Sequence, residues 1–109
     1  MHELSITRNV VAICAEQAAG GRVRRVTLEI GQLTAVLPAA VRFCFEFCAE
    51  GTALEGALLE IIETPGGGRC RACGGAVALV ERYGRCSCGS NDIELTAGEA
   101  LKIREMDVV

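Results

Sequence analysis

Aromatic side chains are scarce in this sequence: there is no tryptophan, one tyrosine and three phenylalanines among 109 residues. A core must therefore be assembled from Val, Ile, Leu, Ala and Cys. Histidine occurs once, at His2, so no nucleophile–base pair can use a histidine elsewhere, and no phosphate-cradling glycine loop is present. An excess of positive charge is missing too. The net charge of −3 and the short cluster Arg22, Arg24 and Arg25 argue against a chain that finds nucleic acid by electrostatic attraction. No run is apolar or long enough to span a bilayer. The opening lacks the cationic start and apolar run of a signal peptide. These absences lead us to expect a cytoplasmic, soluble protein that is not an enzyme and does not engage a membrane or nucleic acid.

What the chain does have is cysteine, seven in all, within a composition that is 50% hydrophobic. In a reducing compartment such cysteines read as metal ligands, reactive thiols or buried apolar groups, and an odd number fits a complete disulfide framework poorly. The length suits one domain burying roughly 65% of its unfolded surface.

Periodicity predicts a helix over 4–19, with Ile6, Val10, Ile13 and Cys14 as its buried stripe, Ser5 as a cap and Gly20-Gly21 as its end. Alternation predicts a strand over 23–30, with Val26, Leu28 and Ile30 on one side. Pro38 suits the first turn of a second helix running to about Glu50, with Ala40, Val41, Cys44, Phe45 and Cys48 on an apolar face and Phe43 and Phe47 beside it. A second strand is expected over 58–63 and a third over 99–106, the latter returning to the same sheet. Pro65-Gly66-Gly67-Gly68 reads as a break and hinge. The expected fold class is α/β (α+β): two helices packed on a small three-stranded sheet, with an inserted four-cysteine, zinc-ribbon-like module. The domains divide as 1–66 with 97–109, and 67–96.

The inserted module carries Cys70-x-x-Cys73, twelve residues, then Cys86-x-Cys88. Four thiolates match the tetrahedral preference of a closed structural zinc site, and some 30 residues with few large apolar side chains need such a staple. Gly74 and Gly89 follow the second cysteine of each pair, which suits tight knuckles with positive φ. A redox dithiol and an iron–sulfur cluster are the rivals; a redox Cys-x-x-Cys usually opens a helix, and this one sits among glycines and arginines. Cys14, Cys44 and Cys48 read as core residues.

At the other end, the Met1 amine, the His2 backbone nitrogen and the His2 imidazole can close adjacent chelate rings on one ion. That nitrogen set suits Ni(II) or Cu(II) in planar or tetragonal geometry, with a further position open to Glu3, water or another group. By chemistry alone an opening Met-His is a weak signal, since many chains begin so by chance.

Several segments together carry a resemblance. The opening Met1-His2-Glu3-Leu4-Ser5-Ile6, the run Arg25-Val26-Thr27-Leu28-Glu29-Ile30-Gly31, the turns at Gly51-Thr52 and Glu55-Gly56-Ala57, Cys70-x-x-Cys73-Gly74, Cys88-Gly89-Ser90 and Gly98-Glu99 resemble the HypA/HybF family in order and spacing. That family consists of nickel metallochaperones for [NiFe]-hydrogenase maturation. The resemblance implies Ni(II) cargo held through His2, with the Met1 terminal amine and Glu3 nearby. It implies structural Zn(II) at Cys70, Cys73, Cys86 and Cys88. It also implies delivery to the hydrogenase large-subunit precursor together with a HypB-type GTPase, by a monomer or weak homodimer. The shortened second knuckle departs from the family's usual second Cys-x-x-Cys. The alternative function is a zinc-ribbon module binding nucleic acid or protein without nickel, for which Arg69, Arg71, Arg82 and Arg85 supply some basic character and Tyr83 the only aromatic.

Overall fold

The computed structural model describes residues 2–109. The element order is α1 (His2–Gln17), β1 (Val23–Gly31), a short 3₁₀ turn (Gln32–Thr34), α2 (Pro38–Ala49), β2 (Leu58–Thr64), β3 (Gly66–Cys70), β4 (Ala76–Leu79), β5 (Ile93–Ala97) and β6 (Leu101–Val108). Two three-stranded sheets result, ordered β2-β1-β6 and β4-β3-β5. The expected two helices, the three-stranded sheet and the cysteine module between its strands are all present. The module adds a second sheet that the sequence did not suggest.

The chain divides into two compact units. One contains the residues up to Leu28, Val36–Ile62 and Lys102–Val109; the other contains Glu29–Ala35 and Glu63–Leu101.

In the first unit α1 packs on α2. The buried stripe of α1 is Thr7, Val10, Val11 and Cys14. This corrects the expected stripe, because Ile13 is 49% exposed and Thr7 is fully buried. Thr7 tolerates burial because its hydroxyl donates to the Glu3 carbonyl at 2.6 Å, so no polar group is left unpaired. The helix also begins two residues earlier than expected, which places Ser5 inside it rather than at a cap. Helix α2 starts at Pro38 as expected and buries Val41, Cys44, Phe45 and Ala49. Val26 and Leu28 of β1 and Leu54 of the α2–β2 turn are wholly inaccessible. Each such residue supplies roughly 2 kcal/mol of burial. Across the outer surface of the sheet, Arg25 bridges Glu60 at 3.4 Å and Asp107 at 3.1 Å.

In the second unit the expected hinge is instead a strand. Gly66–Cys70 forms β3, the central strand of its sheet, antiparallel to both neighbours. The glycines suit that position because the partners approach too closely for side chains. A Cβ on Gly68 would meet Ile93 Cγ2 at 2.5 Å and the Glu94 carbonyl at 2.8 Å. The buried apolar groups of this unit are few: Ile30, Leu33, Leu79 and the cysteines Cys70 and Cys86.

Candidate metal centre

The end of β3 delivers Cys70 into the first of two tight turns. Cys70 N–H donates to the Gly75 carbonyl at 2.9 Å and Gly74 N–H donates back to the Cys70 carbonyl at 2.8 Å. Gly74 adopts φ 77°, the left-handed conformation expected of it. The second turn repeats this plan with one residue fewer. Cys86 N–H donates to the Ser90 carbonyl at 2.8 Å, Gly89 N–H donates to the Cys86 carbonyl at 2.9 Å, and Gly89 has φ 98°. The shortened Cys86-x-Cys88 spacing therefore still closes a knuckle.

The two knuckles bring all four sulfurs within 4.8 Å of one another. Cys70 Sγ lies 3.6 Å from Cys88 Sγ, and Cys73 Sγ lies 3.6 Å from Cys86 Sγ, two contacts that cross between the knuckles. Four sulfurs arranged tetrahedrally around zinc at a Zn–S distance of about 2.3 Å stand about 3.8 Å apart. The cluster thus has nearly the spacing such an ion requires. Cys70 and Cys86 are buried, while Cys73 and Cys88 are exposed.

The electrostatics of the cluster point the same way. Backbone N–H groups, that of Cys73 foremost, draw the Cys70 thiol down to about 6. The backbone N–H of Cys88 and the Cys73 thiol likewise lower Cys86. Cys73 itself receives the Gly75 N–H at 3.4 Å, which favours its thiolate. Hydrogen bonds with the Cys86, Cys88 and Cys70 sulfurs outweigh that donor and hold Cys73 up at about 11. Negative sulfurs packed this closely retain a proton in the absence of a cation; a dication would take its place.

Two supports of the knuckles were not anticipated from the sequence. Arg71 donates its backbone N–H to the Asp92 carbonyl at 2.9 Å and its guanidinium to the Asp92 carboxylate at 3.0 Å. Asp92 N–H in turn donates to Ser90 Oγ at 3.1 Å. The spacing Ser90-x-Asp92, which favours such a local side-chain turn, was the available signal. Arg71 is consequently engaged within the module, which removes one of the four arginines proposed as a basic surface.

Of the other expected site residues, His2 is exposed at the first residue of α1, and Met1 lies outside the described residues. Glu3 is half-buried in the first turn of α1. Its carboxylate accepts the Leu37 backbone N–H at 3.2 Å, at the residue that caps the start of α2. That bond, followed by Glu3's own N–H, holds its carboxyl below the usual range, with a smaller contribution from His2. Cys14 and Cys44 are buried and Cys48 is half-buried, in keeping with core roles. Burial pushes the Cys14 thiol up, away from the ligating form.

A family model described as "HypA: Hydrogenase/urease nickel incorporation, metallochaperone, hypA" matches residues 1–108. A hydrogenase maturation factor HypA of Nostoc punctiforme is 56% identical over 108 residues, covering 99% of this chain and 96% of that protein. Among solved structures, a HypA protein in solution aligns over 100% of this chain and 97% of its own, with a TM-score of 0.74 and 26% identity. The Ni metallochaperone HypA from Helicobacter pylori aligns over 98% and 97%, with a TM-score of 0.72; its 23% identity shows a shared fold.

Proposed function

The chain belongs to the HypA family of hydrogenase/urease nickel-incorporation metallochaperones, and from that membership we propose that it carries Ni(II) at its N-terminus for insertion into the [NiFe]-hydrogenase large subunit. The observation that carries this reading is the placement of the single histidine, His2, exposed at the first residue of α1. The first N–H groups of a helix have no acceptor within it. The His2 amide can therefore give up its proton to become a ligand without breaking the helix. The imidazole stands beside it, and the Met1 amine completes three nitrogens for a planar Ni(II). Glu3 supplies an oxygen close by. Such a terminal chelate is open on one side, which suits cargo that must be handed on.

In this reading Cys70, Cys73, Cys86 and Cys88 hold a resident Zn(II), whose chemistry there is to cross-link two knuckles rather than to react. Residues 1–66 with 97–109 serve nickel, and 67–96 serve zinc. The partners are a HypB-type GTPase and the hydrogenase large-subunit precursor, met in the cytoplasm by a monomer or weak homodimer. Among the described residues no helix is long and apolar enough to cross a membrane.

The test is nickel titration of untagged protein and His2→Ala, with zinc measured in both. Even groups that only orient a ligand are worth 10–100-fold in metal affinity, so loss of a direct ligand should weaken nickel by more than about tenfold. Zinc should stay near one per chain. Equal nickel affinity in the two proteins would sink the N-terminal site.

A further inference from the structure

Two of the seven cysteines share one face of α2 and belong to neither metal site described above. Cys44 and Cys48 are four residues apart within the continuous helix Pro38–Ala49, so their side chains are neighbours on successive turns. Both are free thiols. Cys44 is only 9% exposed and Cys48 is half-buried, so the pair runs from the core towards the surface. Packing accounts for Cys44. It asks nothing of a thiol at Cys48, where the partly open position leaves a way in for a ligand. Buried Val41 lies one turn before Cys44 and buried Phe45 one turn before Cys48, so the helix face beside the two sulfurs is apolar.

Helix geometry decides what the pair can do. Cβ atoms at i and i+4 stand about 5–6 Å apart, whereas a disulfide needs about 3.5–4.5 Å. A disulfide would have to unwind the last turn of α2. One ion between the two sulfurs makes no such demand: at a metal–thiolate bond of about 2.3 Å, the zinc value, a linear sulfur–metal–sulfur unit spans about 4.6 Å. Zinc(II) and nickel(II) are poor occupants, because each requires about four donors. Among the described residues, the cluster of Cys70, Cys73, Cys86 and Cys88 is the only group of three or more His, Cys, Asp or Glu side chains placed to share an ion. Neither Cys14 nor a carboxylate therefore completes a four-donor site at α2.

We propose that Cys44 and Cys48 form a two-coordinate site for Cu(I), independent of nickel at the N-terminus and of zinc at the knuckles. Cu(I) is soft, takes thiolate ligands by preference, and is content with two of them where apolar neighbours keep other donors away. Each thiol releases its proton to solvent as its bond to the ion forms, and the copper keeps its oxidation state. Two thiolates and one monovalent cation leave a single negative charge, which half-buried Cys48 holds next to water. A dication held by the same two sulfurs would lack half its donors. Copper also outranks nickel at nitrogen ligands, so a thiol pair elsewhere on the chain keeps the two metals on different residues.

The experiment titrates Cu(I), supplied as its bicinchoninate complex with excess reductant and without oxygen, into zinc-loaded full-length protein. It compares wild type with Cys44→Ser, Cys48→Ser and His2→Ala, and it measures zinc throughout. Wild type should take one Cu(I) per chain while keeping its zinc, and each serine variant should lose at least about tenfold in that affinity. His2→Ala should match wild type. X-ray absorption at the copper edge should show two sulfur neighbours. Cys48 is half-buried, so its serine variant keeps the test clear of any folding loss caused by Cys44→Ser in the core. Zinc released in step with copper uptake, an affinity unchanged in Cys48→Ser, a loss in His2→Ala, or a third sulfur at the copper overturns the proposal. So does a dimer formed on copper addition and seen by sedimentation, which would place the thiols of two chains on one ion.

Discussion

Cys70 and Cys73 occupy the same knuckle, yet their thiols are pushed in opposite directions, to about 6 and about 11. The consequence for zinc has a definite sign. At pH 7 Cys70 is already a thiolate, so it opposes binding only when pH falls through about 6 and its proton must be displaced. Cys73 keeps its proton up to about 11 and must release it on binding. Zinc affinity should therefore rise with pH through the neutral range and fall more steeply below about 6. Competition with a chromophoric chelator between pH 5.5 and 8 reads this directly; a flat profile would contradict the cluster's electrostatics. The convergence of the four cysteines and the positive φ of Gly74 and Gly89 were legible in the sequence because tetrathiolate spacing and knuckle geometry are local. Glu3 was legible only as an acid beside His2. Its bond to Leu37 joins residues 34 apart, and no local pattern encodes that. Thr7 was passed over for Ile6 and Ile13 because hydropathy cannot see that its hydroxyl is satisfied by its own helix.

Among the elements, β3 was misread because glycine runs ordinarily mark breaks. Here they mark close approach. Gly68 pairs with Val77 on one side and Leu95 on the other, and its missing side chain leaves room for Ile93. Gly68→Ala should thus strain the second sheet. One inserted methyl group against a side chain and a carbonyl costs about 1–3 kcal/mol. Denaturant unfolding followed by zinc release should show that loss, whereas Gly74→Ala, with open space around it, should be limited to its backbone strain. An unchanged midpoint for Gly68→Ala would mean that β3 is not held as tightly as its register indicates. Strand β6 carries a subtler departure from simple alternation. Ile103 and Met106, three residues apart, both line one cavity with Ile13 and Cys14 of α1. Glu105 lines the same cavity while remaining exposed, so the in–out alternation shifts phase between it and Met106. Exposed charge at Lys102, Arg104 and Glu105 on this edge strand discourages pairing with another chain.

For the molecule as a whole, helix periodicity and strand alternation sufficed to place the α1–α2 pair and the β2-β1-β6 sheet, although Thr7 stands in for Ile13 in the buried stripe of α1 and β1 buries Val26, Thr27 and Leu28 in succession. The second sheet escaped because its strands are short and its stability does not come from a hydrophobic pattern. Few apolar side chains are buried in the unit formed by Glu29–Ala35 and Glu63–Leu101, and two of its buried residues, Cys70 and Cys86, belong to the four-sulfur cluster. A small fold with so little core depends on a staple, and here the staple is the proposed zinc. The other unit has its own core in Val10, Val11, Cys14, Val26, Leu28, Val41, Phe45 and Leu54. Removing zinc with a strong chelator should therefore act unevenly. Amides of β3, β4 and β5 should lose most of their hydrogen-exchange protection, while those in the middle of α1 and α2 keep theirs. Readdition of zinc should restore the lost protection. Uniform loss across both units would show that they unfold as one, and no loss at all would show that the four cysteines are not what holds the second sheet together.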